Sequence, residues 1–126
     1  MIFNLSGGGT PDIDSIIDDD SNWKAFGSNF LGIYYLITNK RIYFKGICTT
    51  KISTQIYRST EIVLPTDLAE AINGKVYFIF MYSESACACM YGRTNAYSSS
   101  NPTLYISPAN SSATYTDLEL KSWIDL

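Results

Sequence analysis

The chain has 126 residues, 46% of them apolar and 17% charged, with nine basic and twelve acidic side chains and a formal net charge of −3. That length suits one domain able to fold around its own core, and so mild an acidic balance, with no basic run, argues against a nucleic-acid partner. Histidine is absent, which removes the commonest general base, the usual pH switch and the favourite transition-metal ligand.

Ten Tyr, six Phe and two Trp stand beside 15 Ser and 11 Thr. Aromatic and β-branched side chains favour pleated, half-buried surfaces, while Ser and Asn supply turns, so the expected class is all-β. Residues 1–10 read as a short apolar peg, Ile2-Phe3-Asn4-Leu5, followed by a Ser-Gly-Gly-Gly joint, and residues 11–126 as a single domain. With no basic n-region and no long apolar stretch, the start is not expected to act as a secretory signal. The longest apolar runs, Leu31 to Ile37 and Val76 to Tyr82, fall far short of the ~20 residues of a membrane helix, so no membrane insertion is expected.

Thr10 fits an N-cap, Pro11 the first helical position, and Ile13, Ile16 and Ile17 make one apolar stripe. This predicts a two-turn helix that stops near Asp18-Asp19-Asp20, where three carboxylates oppose the helix dipole. From Phe30 the period changes to two. Phe30–Thr38 reads as a strand apolar on both faces, and Asn39-Lys40 as a two-residue hairpin turn. The return strand, Arg41–Lys45, places Ile42 and Phe44 inward and is broken at Gly46. Thr50–Tyr57 turns Ile52 and Ile56 inward, and Glu61–Leu64 is a short strand closed by Pro65. Asp67, with Glu70 three places on, predicts a capped helical turn or two ending at Asn73-Gly74, with Gly74 left-handed.

Lys75–Ser83 follows, and its apolar stretch from Val76 to Tyr82 reads as a central strand buried on both faces. Ala86–Tyr91 is a strand of small residues, Gly92–Pro102 a polar loop and Thr103–Ser107 a short strand. Tyr115–Trp123 alternates Leu118 and Leu120 against Glu119 and Lys121. About eight strands at this spacing predict a β-sandwich of jelly-roll type with one or two short helices.

No pattern of catalytic groups emerges. Asp18, Asp20 and Asn22 alternate as in a calcium loop, but Trp23 and Asn29 stand where that loop needs Gly and Glu. Cys48, Cys87 and Cys89 form no Cys-x-x-Cys pair and have no His to complete a zinc site. They are expected to be reduced, mostly buried thiols, as in a protein folded in a cytoplasm. The four glutamates are scattered singly, and the Ser residues lack both a Gly-x-Ser-x-Gly frame and a base. Neither an enzyme nor any cofactor or metal is therefore expected. The best candidate surface is the loop of Tyr91, Arg93, Asn95 and Tyr97, with Trp23 as a further stacking ring. Tyr and Arg among small polar neighbours are what binding loops use.

The opening Met-Ile-Phe-Asn-Leu-Ser-Gly-Gly-Gly, residues 1–9, resembles the N-terminus of tail-fibre and related virion proteins of phages and prophages. The resemblance implies a structural virion protein of tail, baseplate or head-fibre type, made in the host cytoplasm and resident in the virion. Ile2, Phe3 and Leu5 would dock it to other virion proteins, and a homo-oligomer, with a trimer preferred, is expected. The alternative class is a β-sandwich module that binds a glycan or receptor on the host surface. A small phage-encoded inhibitor of host defence is the remaining option.

Overall fold

The computed structural model of the chain describes residue 16 and residues 22–54, 60–85, 88–95, 103–106 and 113–126. Among these, ten strands and one short α-helix follow in chain order. They are β1 (Lys24–Ala25), β2 (Ile33–Ile37), β3 (Arg41–Ile47), β4 (Ile52–Thr54), β5 (Thr60–Val63), α1 (Thr66–Ile72), β6 (Phe78–Ser83), β7 (Ala88–Asn95), β8 (Thr103–Ile106), β9 (Ala113–Tyr115) and β10 (Leu118–Asp125). The fold is all-β.

Eight strands join in one antiparallel sheet of order β1-β2-β3-β10-β6-β7-β8-β5, and β4 pairs with β9 as a separate ribbon. The ladders thus divide the strands eight and two, whereas a jelly roll shares its eight between two sheets. The long sheet curls. A 3-10 turn, Ser28–Phe30, lies beyond β1, and its Asn29 side-chain amide donates to the Val63 carbonyl on β5, at the opposite end of the strand order. Lys24 on β1 likewise reaches Asp67 in α1, just past β5.

The concave side of this sheet holds the core. Ile42 and Phe44 on β3, Ile79 and Met81 on β6, Leu104 and Ile106 on β8, and Leu118 and Leu120 on β10 are fully buried. Helix α1 adds Leu68 and Ile72 to that cluster, and the ribbon adds Ile52 and Tyr115. Phe26 meets Phe30 and Tyr35 edge-on, at 5.2 and 6.1 Å between ring centroids, and closes the end under β1.

Several local expectations hold. Thr38 and Arg41 close the hairpin around Asn39-Lys40 through a backbone bond of 2.8 Å. Strand β10 buries Leu118 and Leu120 and exposes Glu119 and Lys121, as its alternation requires. Others need correction. Phe30–Thr38 is not one two-faced strand: Phe30 belongs to the 3-10 turn, Leu31 is exposed, and β2 buries only its Ile33 and Tyr35 face fully.

Gly46 does not end β3 but sits within it, opposite Ile33. Gly92, read as the start of a loop, lies buried in β7, where Met81 and Leu104 occupy the space a side chain would need. Asp67 is not the N-cap of α1. Pro65 holds that position, and the Asp67 carboxylate is drawn instead to Tyr35 and Lys24. At the far end Asn73 takes the left-handed cap before Gly74, and both have positive φ.

The peg with Ile2, Phe3 and Leu5 and the Asp18 and Asp20 positions lie outside the described residues, as does the first helix, except for Ile16. Ile16 is helical and half-buried.

Candidate functional site

Strand alternation sends one set of side chains out from the convex face of the sheet. On β10 these are Glu119, Lys121, Trp123 and Asp125; on β6 they are Phe78 and Phe80, with Tyr82 half-buried beside them. The pairing of β3 with β10 sets Tyr43 opposite Trp123, Lys45 opposite Lys121, and Arg41 opposite Asp125. The pairing of β2 with β3 extends these rows to Leu36 and Tyr34. A broad outer face results, and its two halves differ in chemistry.

The β6 half is apolar. Phe78 is 62% exposed, Val76 just before it 50%, and Phe80 36%. Strand β6 does lie centrally in the strand order, as its sequence suggests, but only its Ile79 and Met81 face is packed. The expectation of burial on both faces is therefore corrected. Periodicity cannot tell whether a second layer covers a strand, and here none of the described elements covers this side.

The half built on β2, β3 and β10 is aromatic and cationic. Trp23, immediately before β1, lies under the Lys45 ammonium at 4.4 Å from the ring centroid. The Arg41 guanidinium lies 4.9 Å from the Trp123 centroid and makes a 2.7 Å ion pair with Asp125. Such contacts between cations and rings are worth about 0.5–1 kcal/mol at exposed sites, enough to orient the side chains. Tyr34 and Trp123 are each 41% exposed beside them, and Tyr43 is buried between its neighbours. At the β1 edge a cleft of about 460 Å³ is lined by Asn22, Trp23, Lys24, Tyr35, Leu36 and Ile37.

Just inside that edge, Asp67 joins α1 to the sheet. Its Oδ1 accepts from the Tyr35 hydroxyl at 2.6 Å and the Leu68 amide at 2.9 Å, and its Oδ2 pairs with Lys24 Nζ at 2.7 Å. Partial burial by itself would raise the carboxyl pKa. The bonds from Lys24, Tyr35 and Leu68 outweigh that effect and hold it below the usual carboxylate value. Tyr35 is pushed the other way, by burial first and then by the neighbouring carboxylate. A second carboxylate, Asp117, accepts from the Ser83 and Ser85 hydroxyls and from the Ser85 amide. These bonds, the amide foremost, lower its pKa and tie the turn after β6 to the start of β10. Both clusters join elements of the fold.

Of the residues expected to form the binding surface, Trp23 and Arg93 have described side chains. Arg93 is exposed on β7, with its guanidinium 5.5 Å from the Tyr105 ring on β8. Tyr91 and Asn95 also belong to β7, opposite Phe80 and Thr103, so the expected loop is in large part a strand. Tyr97 and Cys87 lie outside the described residues. Trp23 and Arg93 belong to different parts of the strand order, with β2, β3, β10 and β6 between β1 and β7, and no contact joins them to one site.

The rings and cations that do converge, Tyr34, Lys45, Lys121 and Trp123, were not among the candidates. Alternation placed Lys45 and Lys121 on outward faces, but nothing local says that β3 and β10 are neighbours.

Cys48 is a buried thiol whose pKa burial raises, against its bonds with Thr50, while Cys89 is an exposed free thiol on β7. The expectation of mostly buried thiols thus fits Cys48 and not Cys89. Among the described residues no three His, Cys, Asp or Glu side chains lie close enough together to hold a metal ion. No helix among them is long and apolar enough to cross a membrane. The chain matches no protein-family model, no curated protein and no solved structure.

Proposed function

We propose that this chain is a non-enzymatic structural protein of a bacteriophage virion, of tail, baseplate or head-fibre type. It docks through its N-terminal peg and assembles with further copies of itself. The observation that carries the reading is the apolar half of the outer face, where Val76, Phe78 and Phe80 stand in water. Fully burying a side chain the size of Phe is worth roughly 1.5–3 kcal/mol, so a patch of this kind favours association. A component of a repeated assembly covers such a patch by symmetry. The opening Ile2-Phe3-Asn4-Leu5 and the glycines after it supply the resemblance to virion proteins. In this reading the curled sheet and the β4–β9 ribbon, which share one core, form the layers of a jelly-roll-like body.

Phage particles purified from the strain that encodes the chain should contain it by mass spectrometry. Deleting residues 1–9 should remove it from them while leaving the melting temperature of the isolated protein within a few degrees of the parent. Its absence from intact particles would overturn the reading. Light scattering should give an oligomer, with a trimer at three times the 14.1 kDa chain mass preferred by the resemblance. Phe78→Lys should shift that mass to the monomer. A parent that is monomeric at tens of micromolar would exclude self-association.

A second reading has its own observation. The cationic, aromatic half, with the cleft beside Trp23, suits a module that recognises a glycan or receptor on the host surface.

A further inference from the structure

We infer that copies of this chain join through two flanks of one outer face, with Arg93 of each copy paired to Glu61 of the next. The β6–β7 flank of one copy meets the β8–β5 flank of its neighbour, and three copies close a ring. The inference rests on the assembly reading above and names the contact that makes the assembly.

Four strands at one end of the sheet lie in the order β6-β7-β8-β5. Their pairings carry one outward row across them, from Phe78 to Arg93 to Tyr105 to Glu61. Phe78, Arg93 and Glu61 are exposed, and Tyr105 between the two charges is half-buried. Both borders of the row are apolar. Val76 and Phe78 stand in water on the β6 side, and Val63, which shares the outward side of β5 with Glu61, is 51% exposed on the other. The Arg93 guanidinium lies over the Tyr105 ring, on the side of β7 that leads towards Glu61. The ion pairs among the described residues are Lys24–Asp67 and Arg41–Asp125, so neither Arg93 nor Glu61 is met by an opposite charge within its own copy.

The two flanks complement each other. One sets a cation beside exposed Val76 and Phe78; the other sets a carboxylate beside exposed Val63. In contact, the apolar side chains keep water from the ion pair, and the opposite charges fix which flank meets which. Shape decides the closure. The sheet curls until Asn29, beyond β1, bonds the Val63 carbonyl on β5, so its outer face is convex and the two flanks slope away from each other. Convex faces set front to front touch only along a ridge. A wedge that offers one flank to each neighbour fills the space around a threefold axis, and a head-to-tail contact that closes on itself makes a ring.

The test is light scattering of the full chain over a dilution series from tens of micromolar, with a thermal melt of every variant. The parent should run at three times the 14.1 kDa chain mass. Arg93→Glu and Glu61→Arg should each weaken association about tenfold or more, because like charges then face each other across the contact. The double variant, Arg93→Glu with Glu61→Arg, restores opposite charges between copies and should return to the trimer mass. Arg93→Gln and Glu61→Gln, each with a smaller loss of association expected, carry the test should a reversed charge fail to fold. A monomeric or dimeric parent, folded single variants that dissociate no more readily than the parent, or a folded double variant that stays monomeric would each overturn the inference. A trimer indifferent to these charges overturns this contact and leaves the assembly reading standing. That reading is judged separately, by presence of the chain in purified particles.

Discussion

Gly46→Ala should lower the melting temperature by about 10 °C or more, the largest effect expected of any single methyl group added to the sheet. Gly46 pairs with Ile33 at φ +120°, and a Cβ built there would run into the backbone carbonyl of Gly32. Gly32 is constrained in the same way at φ +94°, since its own Cβ would press on the Ile47 carbonyl. Two backbones thus approach to a distance that only glycine allows on either side. A side chain at such a φ costs of order 1–3 kcal/mol by itself, and here the obstacle is backbone, the Gly32 carbonyl just before β2, and not a movable side chain. A total near 3 kcal/mol corresponds to a fall of about 10 °C for a domain of this size. Gly27→Ala is the control. Its φ is also positive, +138°, but the added methyl would meet only the Asn29 side-chain oxygen, which can move. Thermal melts of the two variants should therefore differ clearly. A Gly46→Ala protein that melts within 2 °C of the parent would show that β2 and β3 can separate there at little cost.

Asp67→Ala should destabilise the fold by about 2 kcal/mol, most of it through Tyr35. The Tyr35 ring is buried, and its hydroxyl would lose its 2.6 Å acceptor. A part-buried hydroxyl left without its partner costs about 1–3 kcal/mol, whereas the solvent-facing Lys24–Asp67 pair contributes at most about 1 kcal/mol. Tyr35→Phe in the same background should recover part of the loss, because it removes the orphaned donor. Urea melts of the two single variants and the double variant measure this coupling.

The pH dependence has a definite sign. The Asp67 pKa is lower in the folded protein than in the unfolded chain. Its contribution is present above about pH 4, the ordinary aspartate value, and is lost as pH falls towards the folded pKa. The stability gap between parent and Asp67→Ala should therefore close in acid. Tyr35 titrates at higher pH in the fold, so its contribution is full below about pH 10 and is lost as pH rises beyond that. A gap that stays constant down to pH 3 would show that Asp67 has no preferred charged form in the native state.

Much of the β architecture was legible because it is local. The alternation of Ile42 and Phe44 with their polar neighbours, and of Leu118 and Leu120 with Glu119 and Lys121, determined which side of each strand faces the core. The hairpin at Asn39-Lys40 and the helix before Asn73-Gly74 followed from turn and cap chemistry in the same way. Tertiary structure decided the rest, for a physical reason. Alternation says which residues of a strand share a face, but carries no signal for which strand lies alongside. That choice is made by ladders between distant segments, such as the last strand, β10, lying between β3 and β6. Only that insertion brings Lys121 opposite Lys45 and Arg41 to Asp125, 84 residues away. Likewise Asp67 carries a helix-cap signature, yet a tyrosine and a lysine from the other end of the curled sheet take its carboxylate. Phe78 and Phe80 read as core because they are apolar; the outer face is exposed because no described element packs over it.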